Sequence, residues 1–248
     1  MNKSRLLIPG LLIIAIVLML TVFTGIAMAQ QRGYSNSSMV RVIHASPGSP
    51  PVDVYVDGKI ALRNQTYRHA SNYLNLSSGS HHIKVITAGK GPNGNILISR
   101  TVNVRPNERY SLMAVGNKKS IHLLPVASSQ QVARGKCKIR FVHASSDSPP
   151  VDVAIRGGRV LFRNVSYGKS SGYVEIKPTT ANLEIREAGT GKVLVNLPNM
   201  RQKTDNLYSL NLIGFSKGQP GLEATLTVDS NMQPFSMPRT GMGGTSMK

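Results

Sequence analysis

"VRVIHASPGSPPVDVYVDG" (Val40–Gly58) and "IRFVHASSDSPPVDVAIRG" (Ile139–Gly157) are nearly the same string, met twice in one chain. Each reads as a β-branched strand, a Pro-rich turn and a second strand whose apolar residues alternate. In the first copy the second strand ends on Asp57-Gly58, a tight hairpin signal. The match runs on. "RNQTYRHASNYLNL" (Arg63–Leu76) meets "RNVSYGKSSGYVEI" (Arg163–Ile176), "HHIKVITAG" (His81–Gly89) meets "ANLEIREAG" (Ala181–Gly189), and "YSLMAVG" (Tyr110–Gly116) meets "YSLNLIG" (Tyr208–Gly214). The register drifts by single residues, so insertions fall in loops. This is a tandem duplication of a unit of roughly 95 residues, a size that suits an independent domain and exceeds a solenoid repeat.

Within each copy the pattern is all-β. Strands are expected at Val40–His44, Val52–Val56, Tyr73–Leu76, His82–Thr87, Ile96–Val104 and Tyr110–Val115, with Gly, Asn and Pro turns between them. The second copy repeats the order, with strands at Leu183–Glu187, Val193–Leu197, Tyr208–Ile213 and Leu222–Val228. Nothing after residue 30 keeps a helical period. About seven short strands per copy predict two tandem immunoglobulin-like β-sandwich domains. The expected boundaries are 38–126 and 137–229, a polar linker at 127–136 and a tail at 230–248. Aromatics make up 5% and Trp is absent, so the cores must be aliphatic.

The repeated string resembles the signature of the extracytoplasmic family called domain of unknown function 4397, whose members begin V-R-x-x-H-A-S-P and continue P-x-V-D-V-Y-V-D-G. The first copy matches almost throughout. The second keeps "FVHAS" and "SPPVDV" but has Ala154 for the Tyr and Arg156 for the acidic turn residue. The resemblance spans Val40–Leu124 and Lys138–Val228. It implies a surface-exposed β-sandwich, often in tandem, with no established activity, and it hands over no catalytic residues.

His44, Ser46 and Asp53 recur as His143, Ser145 and Asp152. One reading makes each set a hydrolase triad, which requires the base to reach the nucleophile and the acid to reach the base's other nitrogen. Ser46 lacks the Gly-x-Ser-x-Gly elbow. The other reading is structural and is favoured here: His44 and Asp53 stand at opposite ends of a Pro-rich loop whose free N–H and C=O groups need partners. Pro51 and Pro150 stiffen that loop and hold it extended. No metal site is expected. His81 and His82 are adjacent and would point to opposite faces of a strand, the second copy has Ala181 and Asn182 there, and Asp57 becomes Arg156. Cys137 is the single cysteine, which excludes an internal disulfide. No cofactor is implied.

The ends speak of export. Lys3 and Arg5 precede an uncharged, mostly aliphatic run, Leu6–Ala27, closed by Ala27-Met28-Ala29. These are the parts of a secretory signal, cleaved after Ala29. The run is also about the 20 residues that span a bilayer, so a retained anchor is the alternative. Either places the rest of the chain outside the cytoplasm, away from intracellular nucleic acid. Near the C-terminus, Met237-Pro238-Arg239-Thr240-Gly241 resembles the L-P-x-T-G signal that sortases cleave between Thr and Gly. The apolar helix that ordinarily follows such a signal is absent from Met242–Lys248. The net charge is +19, with 30 Lys or Arg against 11 acids. Such a surface attracts anionic polymers or membranes in a salt-dependent way. The sequence therefore predicts a noncatalytic envelope protein, anchored, wall-attached or secreted, whose partners are a sortase or an anionic cell-wall polymer or membrane surface. Electrostatic binding as the function itself is the alternative.

Overall fold

The computed structural model describes residues 36–128 and 131–229. The expected signal or anchor at 1–29 and the motif at Met237–Gly241 lie outside the described residues. The first copy forms β1 (Ser37–His44), β2 (Val52–Val56), β3 (Lys59–Gln65), β4 (Leu74–Ser77), β5 (Gly79–Thr87), β6 (Ile96–Val104), β7 (Arg109–Val115) and β8 (His122–Ser128). The second forms β9 (Cys137–His143), β10 (Val151–Ile155), β11 (Val160–Val165), β12 (Val174–Ile176), β13 (Thr180–Glu187), β14 (Val193–Arg201), β15 (Asn206–Ile213) and β16 (Glu223–Val228).

Each copy builds two four-stranded sheets of the same order. The first has β4-β1-β7-β8 and β3-β2-β5-β6; the second has β12-β9-β15-β16 and β11-β10-β13-β14. The pairs β1/β7 and β9/β15 are parallel and the other pairs antiparallel. In the first copy Val40, Val42 and Leu112 of one sheet meet Val54, Ile83 and Val85 of the other. In the second, Ile139, Phe141 and Leu210 meet Val153, Leu183 and Ile185. The expected tandem all-β sandwiches are there, with eight strands in each rather than about seven.

The strands that the sequence pattern hid are β3 and β11, and in the first copy β8. The ladder between β2 and β3 shifts register between Val52 and Val54, and Asn64 takes a left-handed φ of 49°. The same shift separates Val151 from Val153, and Asn164 sits at φ 50°. A bulge of this kind breaks the period-two alternation by which a strand is read.

The strands β1, β7, β9 and β15 are buried almost from end to end. One face of each fills its own sandwich, and the other belongs to a third apolar cluster drawn from both copies. Ile43, Ala45, Met113, Val115 and Val126 of the first copy meet Val142, Ala144 and Ile213 of the second. The sheet holding β1 thus packs on the sheet holding β9. The described residues form one compact unit, joined through that face.

Candidate functional site

The repeated string lies where this packing is made. Successive side chains of a strand point to opposite faces. Val40 and Val42 therefore enter the first sandwich, while Arg41, Ile43 and Ala45 face the second copy. Ile139 and Phe141 enter the second sandwich, while Arg140, Val142 and Ala144 face back. An Arg recurs in the middle of each buried strand, and these two are 4% and 3% exposed.

Each Arg reaches the last strand of the other copy. Arg41 donates through Nε to Ser111 Oγ (2.8 Å), through Nη1 to the Val228 carbonyl (2.8 Å) and through Nη2 to Thr227 Oγ1 (3.0 Å). Arg140 donates through Nε to Ser209 Oγ (2.6 Å) and through Nη1 to the Ala127 carbonyl (2.6 Å). The registers of β8 on β7 and of β16 on β15 make Ala127 the counterpart of Val228, and Ser128 that of Asp229. The arrangement is a pseudo-two-fold. One carboxylate serves both guanidinium groups: Asp229, fully buried, pairs with Arg41 and lies 3.3 Å from Arg140 Nη2. Tyr73 and Tyr173 cover the outer faces, with ring centroids 4.9 and 4.8 Å from the Arg41 and Arg140 carbons. Burial is the main cause that pushes both phenol pKa values up.

The His, Ser and Asp of the string are each held separately. His44 Nε2 lies 3.1 Å from the Pro50 carbonyl, and His143 Nε2 lies 3.1 Å from the Pro149 carbonyl. A carbonyl only accepts, so Nε2 carries the proton in both rings, and each Nδ1 is buried without a hydrogen-bond partner. Burial, opposed by the neighbouring carbonyls, holds both imidazole pKa values below the ordinary one. The rings stand edge-on to Tyr67 and Tyr167, which also join the cluster between the copies. Ser46 Oγ donates to the Gly116 carbonyl (2.8 Å) and contacts Ser49 Oγ (2.8 Å). Ser145 Oγ contacts Asp147 Oδ1 at 3.4 Å, and that carboxylate accepts the amides of Ser216 and Lys217.

Asp53 accepts the Asn64 amide (2.8 Å) and the Gly89 amide (3.0 Å), and Asp152 accepts the Asn164 amide (2.7 Å). It thereby fixes the bulge that starts at the left-handed Asn. Pro51 and Pro150 present their carbonyls to the amides of Ala88 and Ala188. His44, Ser46 and Asp53 are not hydrogen-bonded to one another, nor are His143, Ser145 and Asp152. A proton relay from Ser through His to Asp therefore has no geometry here.

His81 and His82 turn to opposite faces. His81 Nδ1 meets Asp57 Oδ2 at 2.6 Å, and His82 Nε2 meets Ser99 Oγ at 2.9 Å. The His81 bond and the His82 amide hold the Asp57 pKa below the usual carboxylate range. Among the described residues no three His, Cys, Asp or Glu gather as a metal site. The sequence reading found the loop residues and missed Arg41, Arg140 and Asp229. The signal available was an Arg at the same place in two otherwise apolar strands.

No curated protein sequence matches the chain. Solved structures give remote likenesses. The C-terminal domain of AlgF from P. aeruginosa is 18% identical, over 38% of this chain and 99% of its own, with a TM-score of 0.31. A family 26 carbohydrate-binding module from Eubacterium rectale, solved with maltoheptaose, is 11% identical over 79% and 98%, with a TM-score of 0.24. A proposed cell adhesion protein from Bacteroides fragilis is 10% identical over 79% and 99%, with a TM-score of 0.19. Likeness at this level carries no functional argument. The family model is a different matter: Domain of unknown function (DUF4397) matches residues 38–154 and again 139–236, over the two copies of the string, and the chain belongs to that family.

Proposed function

We propose that the protein is a noncatalytic envelope protein, a pair of β-sandwiches joined face to face and held outside the cytoplasm. The observation that carries this is the use of the repeated string. Its Arg, Ile or Val and Ala residues join the copies, and its His, Ser, Pro and Asp residues tie loops to main-chain groups. Residues so engaged support a scaffold and leave no nucleophile to activate. Leu6–Ala27 is the exporting or anchoring segment, and Met237–Gly241 is the sortase signal. A sortase cysteine attacks the Thr240 carbonyl and releases Gly241 onward; an amine on the wall then takes the acyl group.

The test is mass spectrometry of the native protein from envelope fractions, beside a Thr240→Ala variant. The expected result is a chain that ends at Thr240 joined to a wall fragment, lost in the variant together with wall fractionation. The same distribution between wall, membrane and medium in both proteins, with no chain ending at Thr240, would refute sorting and leave a secreted or N-terminally anchored module.

A second reading, electrostatic capture of anionic envelope polymer, is favoured by the charge of +19 and by the internal use of the carboxylates. The domain limits proposed for these modules are 38–126 and 137–229.

A further inference from the structure

The two copies stand the same way up. In the first, the start of β1 lies beside the end of β4, the start of β7 and the end of β8, through the pairs Ser37/Ser77, Met39/Arg109 and Arg109/Ser128. In the second, Cys137 at the start of β9 pairs with Ile176 at the end of β12 and with Asn206 at the start of β15, and Tyr208 faces Val228 at the end of β16. Across the join, Arg41 of β1 meets the end of β16 at Val228. Arg68, whose amide donates to the His44 carbonyl at the end of β1, meets the start of β16 at Glu223. So β16 runs against β1, and β9 runs with it. One end of the pair, the base, therefore carries Ser37, Ser128, Cys137 and Val228. The chain enters the described residues there, crosses between the copies there and leaves there.

The base of the second copy is a cationic cluster. The Gly135 amide donates to Asp205 Oδ1 (2.8 Å), the Asp205 amide to the Lys136 carbonyl (2.7 Å) and the Gln202 amide to the Thr179 carbonyl (3.2 Å). These bonds tie the linker, the β14–β15 loop and the β12–β13 loop together. The three segments and the end of β14 carry Arg134, Lys177, Arg201 and Lys203, all exposed and without a side-chain hydrogen bond or ion pair among the described residues. The acids nearby are taken, Glu175 by Lys136 and Asp205 by the Gly135 amide. The first copy lacks this cluster. Ser77 stands for Lys177, and Asn103, opposite Ser80, stands where Arg201 does, opposite Thr180. Arg105, the counterpart of Lys203, lies 3.8 Å from Glu108, whose own counterpart is Asn206.

We propose that the base docks on an anionic bilayer, with Arg134, Lys177, Arg201 and Lys203 against the lipid head groups. The proposal rests on Leu6–Ala27 being a retained anchor. Eight residues, Met28–Ser35, then separate the anchor from the base at Asn36, a reach of about 28 Å at full extension. A chain that enters at the base keeps those cations close to the head groups, whose negative surface potential attracts Lys and Arg within about a screening length. The exposed lysines of the opposite end, Lys118, Lys119 and Lys217, are left for polymer beyond the membrane.

The test is hydrogen exchange of the full-length protein in nanodiscs of phosphatidylcholine alone and with about 30% phosphatidylglycerol. The anionic discs should slow exchange at least about threefold in 131–136, 177–180 and 201–205 and leave 116–121 and 214–222 unchanged. The difference should vanish at 0.5 M salt and in Lys177→Gln/Arg201→Gln/Lys203→Gln, and persist in Lys118→Gln/Lys119→Gln. No slowing at the base, equal slowing at both ends, or slowing undiminished in the triple variant overturns the proposal. So does slowing of the base by polyphosphate without slowing by anionic discs, which would assign the cluster to polymer. If the full-length chain does not stay in the discs, the anchor reading fails, and the same exchange measurement with phosphatidylglycerol vesicles decides the docking by the same outcomes.

Discussion

His44 and His143 show how a residue that resembles a catalytic base acts as a fastener. Each ring gives its one proton to a proline carbonyl six residues on and leaves Nδ1 without a partner. An imidazolium there would stand out of water beside apolar neighbours, so burial lowers both pKa values. The unfolded chain titrates near the ordinary value of about 6.5. Below that pH the unfolded state holds more protons than the folded one, so this contribution is complete above about 6.5 and is lost as pH falls toward the folded values. The slope from each histidine is at most about 1.4 kcal/mol per pH unit. Thermal melts between pH 7.5 and 5.0 should show the loss. In His44→Gln/His143→Gln, whose amides still donate but do not titrate, the slope should shrink; the other four histidines are common to both proteins. Identical slopes would mean that these rings are not the source. The role of His and Asp as loop ties was legible in the sequence, because a Pro-rich connection must satisfy its own backbone. The partners were not: Asn64 and Gly89 lie 11 and 36 residues from Asp53, a pairing fixed only by the bulge and the return of β5.

At the scale of the strand, β1 and β9 carry two messages at once. Val40 and Val42, like Ile139 and Phe141, build a sandwich, and the residues alternating with them join the copies. A strand in a one-sided sheet shows one apolar face, and "VRVIHA" shows two, apart from its Arg and His. That near-continuous run was the legible sign of double burial; the pairing of two Arg with one Asp was hidden, because Asp229 is 188 residues from Arg41. The pair is buried, and removing one member of such a pair costs about 3–5 kcal/mol, since the remaining charge loses both water and partner. Asp229→Ser should destabilise the protein by about that much. The pseudo-two-fold makes a sharper demand. Ser128 occupies the place of Asp229 on the other side of the cluster, against Tyr173 as Asp229 is. Ser128→Asp added to Asp229→Ser should therefore recover a large part of the loss. Denaturant melts of the two singles and the double decide it; a double variant no more stable than Asp229→Ser alone would rule out the symmetric exchange of the acid.

At the scale of the whole molecule, most of the carboxylates already have partners within the fold. The acids are turned to internal work. Asp53, Asp147, Asp152 and Asp205 accept main-chain amides. Glu108 accepts from Tyr110, and Glu184 holds Arg186 and Arg156. Glu175 and Glu223 pair with Lys136 and Arg68, and Asp229 is buried between the copies. Lys59, Arg63, Lys118 and Lys119 in the first copy, and Arg163, Lys169, Lys177 and Lys217 in the second, stay exposed. Because the copies join through their β1 and β9 sheets, both sets belong to one compact unit, so contacts made by both add within a single binding event. Binding to polyphosphate should then be strong at low salt and fall by more than about tenfold between 0.05 and 0.5 M, as the screening length contracts from about 14 Å toward about 4 Å. The measurement is a titration over that range with the full chain and with Lys118→Gln/Lys119→Gln. The variant should bind more weakly and with a shallower salt dependence, since it neutralises fewer charges. An affinity that ignores salt, or no binding at 0.05 M, would remove electrostatic capture from what this molecule does and leave attachment as its role.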